Sequence, residues 1–189
     1  MNGIDLEPYI YPKQVVDNSA KIVVGTVGRI TSAKNPDLFN DIAKCFCPNQ
    51  LVQFRWVGDG DLRSKLSASN ISITGWKQKY EVVDELSKMD IYLSTSLWEG
   101  LPLAVIQAMA SGLPLVLSRC AGNIDTIHIN KNGYIYDSLD EVKEYLVKLI
   151  ANPVLRMQMG IESRNLAEKL FCLSAMVDGY KQQYMLLNR

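Results

Sequence analysis

The chain has 189 residues, 48% of them hydrophobic, and its 20 Lys+Arg balance 20 Asp+Glu to a formal charge of zero. That length and apolar content suit one compact domain with a full core, and the charge balance argues against a general nucleic-acid or anionic-membrane surface. No apolar run reaches the roughly 18 residues needed to cross a bilayer, and no basic-then-apolar leader is read at the N-terminus.

Residues 1–20, with Pro8 and Pro12, are polar and irregular and read as a lead-in linker; residues 21–189 read as the domain proper. Ile22–Val27 is a continuous apolar strand, followed by a loop and a helix near Asn35–Phe46. Leu51–Val57 is a strand ended by Gly58-Asp59-Gly60, and a helix is expected over Asp61–Ala68. Ile71–Thr74 is a short strand, and a helix near Glu81–Met89 follows Gly75-Trp76. Then come a strand at Ile91–Leu93, a helix over Pro102–Ala110, and strands at Leu115–Leu117 and Tyr134–Tyr136, the last after an Asn132-Gly133 turn. Helices near Leu139–Ala151, Val154–Leu170 and Ser174–Leu187 close the chain. The cysteines Cys45, Cys47, Cys120 and Cys172 read as reduced, in apolar surroundings, without zinc-ligand spacing. His128, the only histidine, reads as a surface or turn residue.

Alternating strands and helices with unbroken apolar strands imply an α/β fold, a Rossmann-like parallel sheet covered on both faces. Six strands favour the doubly wound order 3-2-1-4-5-6, in which a ligand crevice opens where the loops after strands 1 and 4 diverge. Those loops are Gly28–Lys34, which carries two cations, Arg29 and Lys34, and Leu97–Leu101, after which a helix begins at the expected crevice. Pro102 suits a first helical position. The helix after it is apolar except for Gln107, an amide that needs a partner in a buried helix. Glu99 lies toward the same end of the sheet.

Gly25-Thr26-Val27-Gly28-Arg29 is not a dinucleotide fingerprint, because it lacks the G-x-G-x-x-G spacing. A Rossmann oxidoreductase is therefore disfavoured. An arginine fork and a lysine point charge together suit a diphosphate, although both side chains also fit as solvated loop cations. Asp59-Gly60-Asp61 has a spacing that can hold a divalent ion, but it reads better as a strand-ending turn with Asp61 opening or capping the next helix. No metal site is expected.

Taken in order, Gly28-Arg29 with Lys34, Gly58-Asp59-Gly60, Gly75-Trp76, Ser96-x-x-Glu99-Gly100-Leu101-Pro102-Leu103, Ala108-Met109-Ala110-Ser111-Gly112-Leu113-Pro114 and Asn132-Gly133 form one pattern. Over residues 21–189 it resembles the carboxyl-terminal domain of glycosyltransferase family 4, the group 1 retaining transferases of the two-domain GT-B fold. Asn2-Gly3-Ile4-Asp5 resembles the segment by which such proteins enter their second domain.

The resemblance implies that Arg29 and Lys34 contact the donor diphosphate and, with Glu99 holding donor-sugar hydroxyls, make up the catalytic set. Gly28, Gly100, Leu101, Pro102 and Leu103 would line the sugar and phosphates, and Thr74, Gly75 and Trp76 would meet the base. The last position of the family's E-x7-E pattern, which binds ribose, is Gln107 here, so the charge-assisted bond is lost. The implied substrate is a nucleotide sugar such as a UDP- or GDP-sugar, with no further cofactor and no nucleic acid. The implied partners are an amino-terminal acceptor domain and a glycan or lipid-linked acceptor. The setting is cytoplasmic or peripheral at the inner face of the membrane, in surface polysaccharide biosynthesis. A GT-B enzyme needs two such domains, so one half of a longer enzyme, inactive alone, is expected. Tyr180–Tyr184 resembles the terminal helix that returns toward the other half. The alternative is a non-catalytic nucleotide-sensing or interaction domain, for which Gln107 speaks.

Overall fold

The structure, a computed structural model, describes residues 3–9 and 21–187. Asn2 and residues 10–20 of the lead-in lie outside the described residues. The strands β1 (Ile22–Val27), β2 (Val52–Val57), β3 (Ile71–Ile73), β4 (Ile91–Ser94), β5 (Leu115–Ser118) and β6 (Gly133–Tyr136) form one sheet in the order β3-β2-β1-β4-β5-β6. Every pairing is parallel, and the order is the doubly wound one expected.

Because strand side chains alternate between faces, neighbouring residues feed two separate cores. Val24, Ile91, Leu93 and Val116 join Phe39 and Ile42 of α1 (Pro36–Cys45) and Leu146 of α5 (Leu139–Ala151) on one face. Tyr92, Leu115 and Leu117 join Leu86 of α2 (Lys79–Ser87), Ile106 and Met109 of α3 (Leu103–Ala110) and Ala167 of α6 (Pro153–Leu170) on the other. A short α4 (Ala121–Ile124) follows β5, and α7 (Leu173–Leu187) closes the chain with Leu173, Val177, Tyr180 and Tyr184 exposed. Helix starts follow local chemistry: Asn35 and Asn152 accept from Leu38 N and Leu155 N, each ahead of a first-turn proline.

The helix expected over Asp61–Ala68 is instead a single 3₁₀ turn, Arg63–Lys65. Buried Asn40 explains it. Its Oδ1 accepts from Ser67 N at 2.8 Å and Ala68 N at 2.9 Å, capturing amides that a helix would bond to its own carbonyls. Asp61 makes no cap; the residue before the turn is Leu62. Pro102 also shifts by one position, preceding α3 as its N-cap rather than opening it. The cysteines correct in part: Cys45 is exposed, and Cys47 donates to Asn70 Oδ1 at 3.3 Å. His128 is exposed in a turn, with its N–H donating to Asn132 Oδ1 at 2.7 Å.

Residues 3–9 pack onto the domain. Ile4 N donates to Phe171 O at 2.8 Å, Ile4 bridges Cys172 in parallel, and Tyr9 is 4% exposed within the α2–α3–α6 core.

At the carboxyl ends of the strands, loops touch backbone to backbone. A Cβ on Gly58 would lie 2.2 Å from Gly28 O, and its φ of +135° disfavours any side chain. Likewise a Cβ on Gly122 would lie 2.1 Å from Gly100 O. Gly58→Ala is expected to destabilise the fold by about 2–3 kcal/mol in urea unfolding, through backbone strain and displacement of the Gly28 loop. An unchanged midpoint would show that the two loops are free to part.

Candidate functional site

The crevice lies where the chain leaves β1 toward one face and β4 toward the other. After β1, a 3₁₀ turn at Ser32–Lys34 fixes the lysine backbone, with Lys34 N donating to Thr31 O at 3.1 Å. The β4 loop grips that turn. Thr95 Oγ1 donates to Lys34 O at 2.7 Å, and Leu97 N donates to Ala33 O at 2.8 Å. The Lys34 ammonium then closes onto Glu99 Oε1, which also accepts from Ser96 Oγ at 2.6 Å. Both members of this pair are largely withdrawn from water, Lys34 at 25% and Glu99 at 13% side-chain exposure.

Beneath Glu99 is a layer of buried hydroxyls and amides. Ser118 Oγ donates to Ser96 O at 2.6 Å, Asn123 Nδ2 to Ser118 O at 2.9 Å, and Tyr136 Oη to Ser94 O at 2.9 Å. Burial pushes the Tyr136 phenol well above its ordinary range. It does the same to Tyr92, against opposing hydrogen bonds from Thr26 and the Val27 backbone, with the Glu99 charge adding to the rise. The Cys120 thiol is likewise pushed up, first by burial. Among the described residues, Asn123 Oδ1 is the one buried side-chain polar atom without a partner.

The other expected site residues surround this centre. Arg29 is exposed, and its Nη2 lies 3.3 Å from Asp61 Oδ2. Gly28 takes φ +152°, and a Cβ there would meet the Lys34 side chain at 3.2 Å. Gly100 is exposed with open space where a Cβ would stand, Leu101 is half-buried, Pro102 is buried and Leu103 is exposed. The base-side segment comes in from β3: Thr74 N donates to Trp56 O at 3.0 Å, Gly75 takes φ +76°, and Trp76 is exposed. Gly75 bridges Gly58, so this segment adjoins the β1–β2 loops.

Asp59 and Asp61 are drawn to separate cations. Asp59 accepts from Arg63 Nη1 at 2.7 Å and Asp61 from Arg29, as a turn rather than a metal clamp would have it. Among the described residues no cluster of His, Cys, Asp or Glu has the geometry to hold a metal ion.

Gln107 departs from expectation in its partner. It stands half-buried one turn beyond Leu103, on the same face of α3. Glu99 does not serve as its partner, being paired with Lys34. Burial raises the Tyr9 phenol pKa while the Gln107 contact opposes the rise. Ser96 and Asn123 are contributors that the sequence reading passed over. For Ser96 a signal existed, since Ser94-Thr95-Ser96 puts three hydroxyls directly after an apolar strand.

Residues 21–152 match the profile of the glycosyl transferases group 1. The chain belongs to that family. A galactosyltransferase of Escherichia coli, UDP-Gal:alpha-D-GlcNAc-diphosphoundecaprenol alpha-1,3-galactosyltransferase, is 29% identical over 97% of this chain and 52% of its own length. A poly(ribitol-phosphate) alpha-N-acetylglucosaminyltransferase of Staphylococcus aureus is 28% identical over 78% of this chain and 32% of its own length. The chain thus spans about half, or less, of these curated relatives. Among solved structures, Anabaena HepE in complex with UDP and glucose superposes with a TM-score of 0.83 at 17% identity, over 97% of this chain and 55% of that one. A TarM mutant of S. aureus in complex with UDP gives 0.84 at 22% identity, over 95% and 38%. The fold is that of one half of a GT-B glycosyltransferase. Among the described residues of this group 1 chain, no helix is long and apolar enough to cross a membrane.

Lys34→Met is expected to lower the urea midpoint by leaving a poorly exposed carboxylate without its cation. Adding Glu99→Gln should recover about 1 kcal/mol or more of that loss. Strictly additive substitutions would show that the pair contributes no coupling.

Proposed function

We propose that this chain is the donor-binding half of a retaining glycosyltransferase that takes a UDP-sugar and delivers the sugar to a lipid-linked or polysaccharide acceptor. The observation that carries the reading is the Lys34–Glu99 pair joining the loops after β1 and β4, where doubly wound sheets bind ligands, with Arg29 in the first of those loops. The choice of UDP is supported by the E. coli relative, named for UDP-Gal, and by the HepE and TarM complexes, which contain UDP. The acceptor class is supported by the diphosphoundecaprenol and poly(ribitol-phosphate) in the relatives' names.

On this reading the bond from the anomeric carbon to the diphosphate oxygen breaks, and both electrons leave with the diphosphate. Arg29, exposed on a mobile-length side chain, and Lys34, anchored through its backbone, supply cations where that negative charge develops. Charge stabilisation of this kind is commonly the largest single catalytic contribution, and two cations at the diphosphate make a resident metal unnecessary. Glu99, rigidly held by Ser96, accepts from donor-sugar hydroxyls. Gly28 and the Gly100–Leu103 backbone line the sugar and phosphates, Thr74–Trp76 meet the base, and Gln107 meets the ribose. The acceptor hydroxyl passes its proton to the departing diphosphate oxygen as its own oxygen bonds the anomeric carbon on the face the diphosphate leaves. The groups that hold the acceptor belong to the other half, which would close over exposed Trp76, Tyr80, Leu97 and Trp98. The full protein would work in the cytoplasm or against the inner membrane face.

Thermal-shift titrations with UDP, GDP and ADP test the site. Saturation by UDP to about a hundred times its dissociation constant should stabilise by roughly 2.7 kcal/mol, a shift of several degrees, mostly lost in Arg29→Ala. A response to GDP alone would reassign the base, and no response to any of them counts against the donor site. No sugar transfer is expected from the chain alone; robust transfer by it would sink the half-enzyme reading. Gln107 favours a second reading, a domain that binds nucleotide without catalysis, and turnover by the unaltered two-domain protein would eliminate it.

A further inference from the structure

Glu99 receives both of its side-chain donors on one oxygen. The Lys34 ammonium and, at 2.6 Å, Ser96 Oγ donate to Oε1, which leaves Oε2 without a protein partner among the described residues. The buried groups behind Ser96 explain how that division is kept. Asn123 is wholly buried, and its Nδ2 donates to Ser118 O at 2.9 Å. A main-chain carbonyl can only accept, so the amide cannot flip without setting two acceptors face to face. It keeps this orientation although Oδ1 is left without a partner. Nδ2 also meets Ser94 Oγ at 3.4 Å. Ser94 Oγ accepts from Ser96 N as well, at 3.5 Å, and its own proton goes to Ser96 Oγ at 3.2 Å. Ser96 Oγ, accepting from Ser94, gives its proton to Glu99. Donation thus runs one way from Asn123 to Glu99, and hydrogen bonds aligned in series polarise one another. The same segment holds the Glu99 main chain, with Gly122 N donating to Glu99 O at 3.3 Å.

We infer that Asn123 and Ser94 are positioning residues for the donor sugar: through Ser96 they hold Glu99 by Oε1 and leave Oε2 for the sugar hydroxyls. The inference rests on the proposed reading of Glu99 as the sugar contact. It gives the segment between β5 and α4, outside the two loops at the switch point, a share in sugar recognition. A carboxylate free to rotate offers its oxygens in many directions and must be ordered when the ligand arrives. One already held by two donors on a single oxygen loses less freedom on binding. Ser94, Ser96 and Asn123 are each at most 3% exposed, so bulk water supplies no substitute donor. Without the Ser94 hydroxyl, Ser96 Oγ loses its donor and the restraint on its own rotamer.

The test is calorimetry of the 189-residue chain with UDP, UDP-galactose, UDP-glucose and UDP-N-acetylglucosamine. The quantity read is the affinity for each sugar nucleotide relative to that for UDP. Ser94→Ala and Asn123→Ala should each lower this ratio for the best-bound sugar by about three- to tenfold, in line with the worth of one neutral hydrogen bond. Neither should lower it further once Glu99 is alanine. Ser94→Thr, which keeps the hydroxyl, should retain the wild-type ratio, and Ser94→Val, of the same shape without it, should behave as Ser94→Ala does. A purely structural role would lower the melting temperature and weaken UDP and the sugar nucleotides alike, leaving the ratio intact, which overturns the inference. If Glu99→Ala lowers the ratio and the Ser94 and Asn123 variants do not, the positioning role fails while the sugar contact stands. If Glu99→Ala leaves the ratio unchanged, or the wild type binds none of the four, the Glu99 assignment fails and the positioning role falls with it.

Discussion

The ion pair between Lys34 and Glu99 is the constraint on which the crevice depends. A doubly wound sheet sends its chain to opposite faces after β1 and β4, so the two loops have no shared helix to hold them together. Here they are joined by a charge pair and by two bonds to main-chain carbonyls, from the Thr95 hydroxyl to Lys34 and from Leu97 N to Ala33. The charge pair satisfies two ions that are each mostly removed from water, where either alone would be costly. Arg29 is paired as well, with Asp61, but out in solvent where such a bridge contributes little. The site thus holds one inner cation that is firmly committed and one outer cation that is loosely held. An anion entering from solvent can recruit the outer one at small cost and meet the inner one already in place.

The hydroxyl layer under Glu99 follows from the same requirement. A carboxylate at the end of a buried strand must be surrounded by donors, and an apolar floor would raise the cost of its charge. Ser96 donates to it directly, and Ser118, Asn123 and Tyr136 fix the strand ends from which the Glu99 loop springs. The change from apolar to polar happens within β4: Ile91, Tyr92 and Leu93 are core residues, and Ser94, Thr95 and Ser96 are buried but hydrogen-bonded. Gly122, pressed on Gly100 O, lets the β5 loop approach closely enough for Asn123 to join.

The sheet was legible because each strand is an unbroken apolar run and the helices between them are periodic. Such patterns depend on near neighbours and on burial alone. Sequence order at the switch point then sufficed to bring the Lys34 and Glu99 loops together, while Arg29 turns to Asp61. Failures came where a distant side chain decides local structure. Nothing in Asp61–Ala68 announces that Asn40, on another element, takes the Ser67 and Ala68 amides. Tyr9 is the same kind of case. It is buried against α3 residues, yet it comes from a segment whose prolines and polar residues resemble a linker. Only the packing of that segment on the α6–α7 junction brings the tyrosine to the helix.

The half-buried place of residue 107 on an otherwise apolar helix also bears on why an amide can stand where the family pattern has a carboxylate. A glutamate there would have to keep enough solvent or ligand contact to stay ionised. An amide carries no such charge penalty, and it can donate with one end while accepting with the other. What it gives up is the added strength of a charge-assisted bond to a hydroxyl, which is roughly twice that of a neutral one.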